Sequence, residues 1–99
     1  MWQPCDNGKT INTIGSENGL IIKDEKHTDG ARITLEKDGN TPFAITCGIY
    51  GVMVHTVFAP NYVEAAEKYQ AMKEEIACFL LDEDEDLDDD WCSRFVDMF

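Results

Sequence analysis

Cys47 and His55 lie eight positions apart, and together they could form a nucleophile. Both belong to the segment AITCGIYGVMVHTVFA, which runs from Ala44 to Ala59. A histidine within hydrogen-bonding distance of a thiol can remove its proton and activate the sulfur. The two side chains must lie on the same side of the structure that joins them, so the local fold decides whether this chemistry is available.

This segment is typical of a β-hairpin whose turn contains Gly48 and Gly51. A turn formed by Gly48–Gly51, or by Tyr50-Gly51 alone, separates apolar from polar side chains cleanly. It places Cys47 on the buried face and His55 on the opposite one. A three-residue loop would instead bury His55 and mix the two faces. Because a slip of one residue turns every side chain over, we predict the cleaner register and no Cys–His nucleophile.

The acidic run DEDEDLDDD, from Asp82 to Asp90, offers oxygen ligands for calcium. An EF-hand loop needs glycine at its sixth position and glutamate at its twelfth. Counting from Asp82, these positions are Leu87 and Ser93, so the pattern does not fit. The chain also lacks a glycine-rich phosphate loop, HExxH and GxSxG. The sequence therefore indicates a protein that is not an enzyme and needs neither a metal nor a cofactor.

A second candidate site consists of polar residues expected on the outer face of the sheet, namely Lys23, Arg32 and His55, with Thr34, Glu36 and Thr46 beside them. Such a surface can bind an anion such as a nucleotide. Antiparallel sheets also commonly have one solvated face, so the same residues fit a face without a ligand. Both interpretations stay open.

The elements that would position these residues indicate an α+β fold. Residues 1–19 are predicted to be an irregular arm, and residues 20–81 a domain with a four-stranded antiparallel meander and one long helix on one face. Asn61, followed by Glu64 three residues later, is typical of a capping box at the start of YVEAAEKYQAMKEEIACFLL. Apolar residues recur in this segment at helical spacing and predict a stripe that packs on the sheet. Residues 82–99 form an acidic tail with a predicted short helix.

Charge is distributed unevenly along the chain, whose net charge is −12. Residues 82–99 contain nine acidic residues and one basic residue, Arg94, a balance of −8. This excess disfavours direct binding of nucleic acid, because phosphates would be repelled. It favours a basic partner or a solubilising tail.

The tail also carries an apolar stripe formed by Leu87, Trp91, Phe95 and Met98. The stripe can pack on the chain's own domain. Alternatively, it can be an anchor presented to a partner, with the carboxylates steering association. In the second alternative the contact surface is formed by Asp82, Glu83, Asp84, Glu85, Asp86, Asp88, Asp89, Asp90, Trp91 and Phe95.

Four widely spaced cysteines, no secretory signal pattern and no apolar run long enough for a membrane span predict a cytoplasmic protein with reduced thiols. No internal repeat is visible, and the sequence leaves the oligomeric state open.

The segment AITCGIYGVMVHT, together with the Glu/Ala-rich helix that follows, resembles small uncharacterised bacterial and phage proteins. More loosely, a small acidic sheet-and-helix domain with the DEDEDLDDD run resembles anti-CRISPR inhibitors and toxin-immunity proteins. The second resemblance implies an inhibitor, and closely spaced carboxylates can imitate the charge density of a phosphate backbone. We therefore expect a non-enzymatic inhibitor that occupies a basic surface, one that normally holds nucleic acid, on a target protein. The alternative is a small oligomeric protein that sequesters an anionic ligand through Lys23, Arg32 and His55.

Overall fold

An antiparallel β-sheet with two helices on one face forms the fold in the computed structural model, which describes residues 1–81 and 88–99. The strands are β1 (Trp2–Pro4), β2 (Leu20–His27), β3 (Ala31–Lys37), β4 (Phe43–Ile49) and β5 (Met53–Ala59), and the helices are α1 (Tyr62–Leu81) and α2 (Asp88–Met98). The predicted α+β class is confirmed. The predicted count of four strands is wrong, because the sheet has five in the order β1-β2-β3-β4-β5.

The additional strand, β1, comes from the segment predicted to be an irregular arm. It pairs antiparallel with β2, with Trp2 opposite His27 and Pro4 opposite Glu25. The ring of Trp2 packs edge-on against His27 with 5.1 Å between centroids. A three-residue strand that contains proline has no periodicity to detect, so only this long-range pairing defines it.

Helix α1 covers one face of the sheet, hereafter the helix face. Its first turn is capped as predicted: the Glu64 N–H donates to Asn61 Oδ1 at 2.9 Å. The predicted apolar stripe supplies the buried residues Ala65, Tyr69, Met72 and Ile76. They pack against sheet residues of which Ile33, Leu35 and Ile45 have no exposed surface.

The register between β4 and β5 differs from the prediction by one residue. The Val52 N–H donates to the Ile49 carbonyl at 2.9 Å, and Gly51 has φ +76°, so residues 49–52 form a type II turn. The ladder resumes at Met53 rather than Val52, which leaves a three-residue loop. A type II turn does not match the twist of a two-residue hairpin, and the extra residue accommodates the difference.

The opposite side of the sheet, hereafter the open face, carries no helix. Residues 10–19 of the arm cross part of it, held to the start of β2 by hydrogen bonds from Asn12 N–H to the Ile21 carbonyl (2.8 Å) and from Ile21 N–H to the Thr13 carbonyl (2.9 Å). The rest of the open face, toward β4 and β5, remains accessible at Val54 and Phe58.

Candidate functional site

Cys47 and His55 are direct cross-strand neighbours on the helix face. The prediction that they point to opposite sides of the sheet is therefore wrong. The cause is the extra loop residue, Val52, which turns every side chain of β5 over relative to the predicted register.

The pair is nevertheless not arranged as a nucleophile and base. Cys47 is 1% exposed, and burial raises the pKa of its thiol to about 12, an increase that the backbone N–H of His55 only partly offsets. The thiol is protonated at neutral pH, whereas a reactive cysteine needs a lowered pKa. Nε2 of His55 is buried without a hydrogen-bond partner in the described residues, and its ring lies against Phe95 with centroids 6.1 Å apart.

The three residues of the predicted anion site do not lie on one face. Lys23 lies on the helix face, with its ammonium 5.3 Å from the centroid of the Tyr69 ring. His55 lies on the same face beside Cys47. Of the three, only Arg32 lies on the open face, where it pairs across the sheet with Gly48. The prediction that Lys23, Arg32 and His55 together form an outer site is therefore wrong.

Arg32 is held by a buried carboxylate that the sequence analysis did not select. Nε and Nη2 of Arg32 donate to the two oxygens of Asp24 at 2.9 and 2.6 Å. The Asp24 side chain has no exposed surface, whereas that of Arg32 is 45% exposed. The hydrogen bond to Asp24 raises the pKa of Arg32 above its already high ordinary range. Because Asp24 occupies one edge of the guanidinium, the other edge, with Nη1, remains available to a ligand.

A groove of about 760 Å³ lies in front of Arg32 on the open face. Its floor is the sheet, and its walls are the arm loop and the β4–β5 hairpin. Its polar lining includes Arg32, Thr34 and Thr46, and its apolar lining includes Ile14 and Val54. The predicted outward positions of Arg32, Thr34 and Thr46 are confirmed by the ladder between β3 and β4. The size is within the range of small-molecule sites.

Glu36 closes the arm end of the groove. Its side chain is 1% exposed, and Oε1 accepts the backbone N–H groups of Glu17 and Gly19, both at 3.1 Å. Oε2 is buried without a hydrogen-bond partner in the described part of the chain. A side chain at Gly15 would collide with this carboxylate, which cannot move aside while it holds the arm. Glu36, predicted among the outward-facing residues of the sheet, is instead covered by the arm.

A further charged cluster ties the helix to the sheet. The Tyr69 hydroxyl donates to Glu25 Oε1 at 2.7 Å, and the Lys73 ammonium lies 3.0 Å from both carboxylate oxygens. Burial alone would raise the pKa of Glu25, but the hydrogen bonds from Tyr69 and Lys73 outweigh it and hold this pKa below its ordinary value. This cluster stabilises the docking of α1 on β2, and it was not predicted because Tyr69 is 44 residues from Glu25.

The C-terminal helix packs on its own domain. Trp91 stacks on Phe79 of α1 with 4.3 Å between centroids, and on Phe95 at 5.0 Å. Phe95 is 1% exposed and belongs to the core. The first of the two alternatives for the tail is therefore the one that the structure shows, and Trp91 and Phe95 are not exposed anchors.

The predicted acidic contact residues are only partly within the structure. Asp82, Glu83, Asp84, Glu85 and Asp86 lie outside the described residues. Asp88, Asp89 and Asp90 lie in the first turn of α2.

Acidic residues are concentrated in the part of the sequence that contains the two helices. Residues 62–99 hold thirteen acidic and three basic residues, a balance of −10, whereas residues 1–61 hold seven acidic and five basic residues, a balance of −2. On α1, Glu64, Glu67 and Glu74 are exposed to solvent. Leu81, Val96 and Met98 are exposed apolar residues on the same helices. The acidic excess thus lies in the part of the sequence from residue 62 onward.

Within the described residues, no group of three or more His, Cys, Asp or Glu side chains is arranged to hold a metal ion. Neither described helix combines the length and the apolar composition needed to cross a membrane. None of the four cysteines takes part in a disulfide.

No protein-family model, curated protein or solved structure matches this chain. No residue role is therefore transferred from another protein.

Proposed function

We propose that this protein is a non-enzymatic inhibitor that uses its acidic C-terminal part, from residue 62 onward, to occupy a basic, nucleic-acid-binding surface of a target protein. The observation that carries the proposal is the charge separation: the sequence from residue 62 onward has −10 of the net −12. A surface of one sign attracts a partner of the other and raises the association rate. The proposal includes a bacterial or phage origin and a cytoplasmic location, where thiols stay reduced.

The acidic run has a charge density comparable with that of a nucleic acid strand. Eight of the nine residues from Asp82 to Asp90 are acidic. Even a fully extended chain of nine residues spans at most about 30 Å, which gives one charge per 4 Å or less. Phosphates along one DNA strand are spaced by about 3.4 Å. Lysines and arginines arranged for phosphates would therefore meet carboxylates at similar intervals.

The apolar part of the proposed contact differs from the one expected from the sequence. The ring of Trp91 stacks on Phe79, and the ring of Phe95 contacts His55. We therefore assign both residues to the fold and not to the contact with the target. Leu81, which directly precedes the acidic run in sequence, is 77% exposed, and Met98 at the end of α2 is 58% exposed. We assign the apolar contacts with the target to these two residues. Apolar side chains that become buried when a complex forms slow its dissociation.

The test uses two charge-neutralised variants. In the first, Asp84, Glu85 and Asp86 become Asn or Gln; in the matched control, which loses the same three charges, Glu64, Glu67 and Glu74 become Gln. Proteins captured at low salt from a bacterial lysate are identified by mass spectrometry, and binding of the purified target is then measured with and without duplex DNA or RNA.

We expect the target to be a nucleic-acid-binding protein whose ligand competes with this protein. The first variant should associate more slowly and with a flatter salt dependence, because exposed charges act over only about 8 Å at physiological ionic strength. The control should have a smaller effect. A target that holds nucleic acid and this protein simultaneously would contradict the proposed inhibition.

The groove supports a second candidate function, the sequestration of a small organic anion. The supporting observation is the buried Asp24, which orients Arg32 and leaves its second edge toward the groove. Because Asp24 and Glu36 are both acidic, the groove suits a ligand with one carboxylate better than a polyanion such as a nucleotide. Apolar walls at Ile14 and Val54 suit an aromatic or aliphatic body.

Thermal unfolding with benzoate, the simplest aromatic carboxylate, and with ADP tests this function. We expect benzoate to raise the melting temperature of the native protein more than ADP does. Thr34→Val and Thr46→Val should reduce the benzoate effect without changing the protein's fold. A shift with ADP and none with benzoate would contradict the proposed ligand class.

A further inference from the structure

The two edges of the sheet differ in how they are protected from pairing with another strand. At one edge, β1 has only three residues and ends in Pro4, which cannot donate a hydrogen bond. At the other, β5 has seven residues, MVHTVFA, with no proline and no Asp, Glu, Lys or Arg. Its pairing with β4 is continuous from Met53 to Ala59, without a bulge. Within the described residues, no strand pairs with the outer side of β5.

The side chains of β5 on the open face are also unusually apolar for an edge. Val54 is 79% exposed and Phe58 is 49% exposed, and they lie two residues on either side of Thr56. Natural edge strands usually carry charged residues at such positions. An uncharged strand with unpaired backbone groups and exposed apolar side chains is suited to β-augmentation.

We propose that a second copy of this chain pairs with β5 to form a two-fold symmetric dimer. In an antiparallel pairing, the register that pairs all seven residues of β5 is centred on Thr56. It places Val54 opposite Phe58 of the partner subunit, so that each exposed apolar side chain covers the other. Directly opposed pairs of this kind have Cβ atoms about 5 Å apart and stabilise the sheet. The dimer has one continuous ten-stranded sheet.

The symmetry also sets the electrostatics of the dimer. A two-fold axis perpendicular to the sheet keeps the helices of both copies on the same side of the sheet, and each copy has a net charge of −12. The repulsion between the copies is screened by salt, and we therefore expect dimerisation to strengthen as the salt concentration rises. This inference does not rest on the proposed function, because it concerns only the charge-free edge.

Cross-linking through an introduced cysteine tests the register. In a Cys78→Ser background, which removes the exposed native thiol, Thr56→Cys places two cysteines opposite each other across the two-fold axis. Cα atoms of opposed residues are about 4.5 or 5.5 Å apart, within the range of a disulfide. In the control, Val54→Cys, the two copies of the cysteine are offset by four residues, about 13 Å, which is too far.

We expect Thr56→Cys to form a disulfide-linked dimer at least ten times faster than Val54→Cys. A similar rate for both variants would overturn the proposed register. The oligomeric state is measured independently by sedimentation equilibrium, in which the native protein should have twice the monomer mass of 11.2 kDa.

Val54→Lys should sediment as a monomer, while Val63→Lys, which changes a valine that is 65% exposed on α1, should remain dimeric. Far-UV circular dichroism establishes that both variants are folded. A native protein that sediments as a monomer at its highest soluble concentration, or a dimer that persists in Val54→Lys, would overturn the proposal.

Discussion

Phe95→Ala tests whether α2 is part of the folded core. Phe95 is 1% exposed and contacts the rings of His55, Trp91 and Phe99. Removing a buried phenylalanine loses the transfer free energy of the ring and leaves a cavity, which together cost about 3–5 kcal/mol. Because α2 is a terminal helix and can partly collapse into the cavity, we expect the lower end, about 3 kcal/mol.

The free energy of unfolding is measured by urea denaturation of the full chain, with thermal unfolding as a second readout. For a domain of this size, a loss of about 3 kcal/mol corresponds to a decrease of roughly 12–24 °C in the melting temperature. Val96→Ala is the matched control, since Val96 lies next in sequence but is 45% exposed. It should change stability by less than about 0.5 kcal/mol.

Two other results would refute the packing argument. If Phe95→Ala destabilised the free protein by no more than Val96→Ala, Phe95 would not belong to the core. If Phe95→Ala left the stability unchanged but accelerated dissociation from a target, the residue would be a presented anchor, and the intramolecular stack with Trp91 would not determine its role.

Cys47→Ser should cost about 1–3 kcal/mol in urea denaturation, because it buries a hydroxyl without a partner, and it should remove no activity. Cys47 should also resist alkylation at pH 8 until the protein unfolds, since burial raises the pKa of its thiol to about 12. The lowered pKa of Glu25 makes its contribution to stability present above about pH 4.5 and lost as the pH falls below that value. Glu25→Gln should therefore reduce the pH dependence of the unfolding free energy in this acidic range, and an unchanged profile would contradict the assigned role of Lys73. Arg32→Ala should destabilise the protein by about 3 kcal/mol, because Asp24 remains buried without its partner; the double variant with Asp24→Asn should recover part of that loss.

The long helix was determined by local sequence. Its boundaries, its cap at Asn61 and the buried positions Ala65, Tyr69, Met72 and Ile76 agree with the structure. These features depend on contacts within one or two turns of the chain, so the residues that specify them are adjacent in sequence. The presence of strands β2 to β5 was predictable for the same reason, since alternation and turn residues are local.

The faces of the sheet were decided by tertiary structure. The β2–β3 and β4–β5 hairpins have three-residue loops, with His27 opposite Ala31 and Ile49 opposite Met53. Sequence patterning favours the register that separates polar from apolar residues, and here it fails because Glu25 lies on the helix face and Glu36 is buried under the arm. These positions are tolerated only because Tyr69, Lys73 and the arm provide hydrogen bonds from distant parts of the chain.

The contrast between local sequence and long-range contacts also explains what the sequence could establish about function. The concentration of acidic residues after residue 62 is a property of composition, and it is visible without a fold. Whether Trp91 faces a partner or its own domain, and which of Lys23, Arg32 and His55 reaches the open face, depends on register and helix docking. Each of these is a choice between opposite orientations that a shift of one residue reverses, and only the long-range pairing of strands and the packing of α2 fix it.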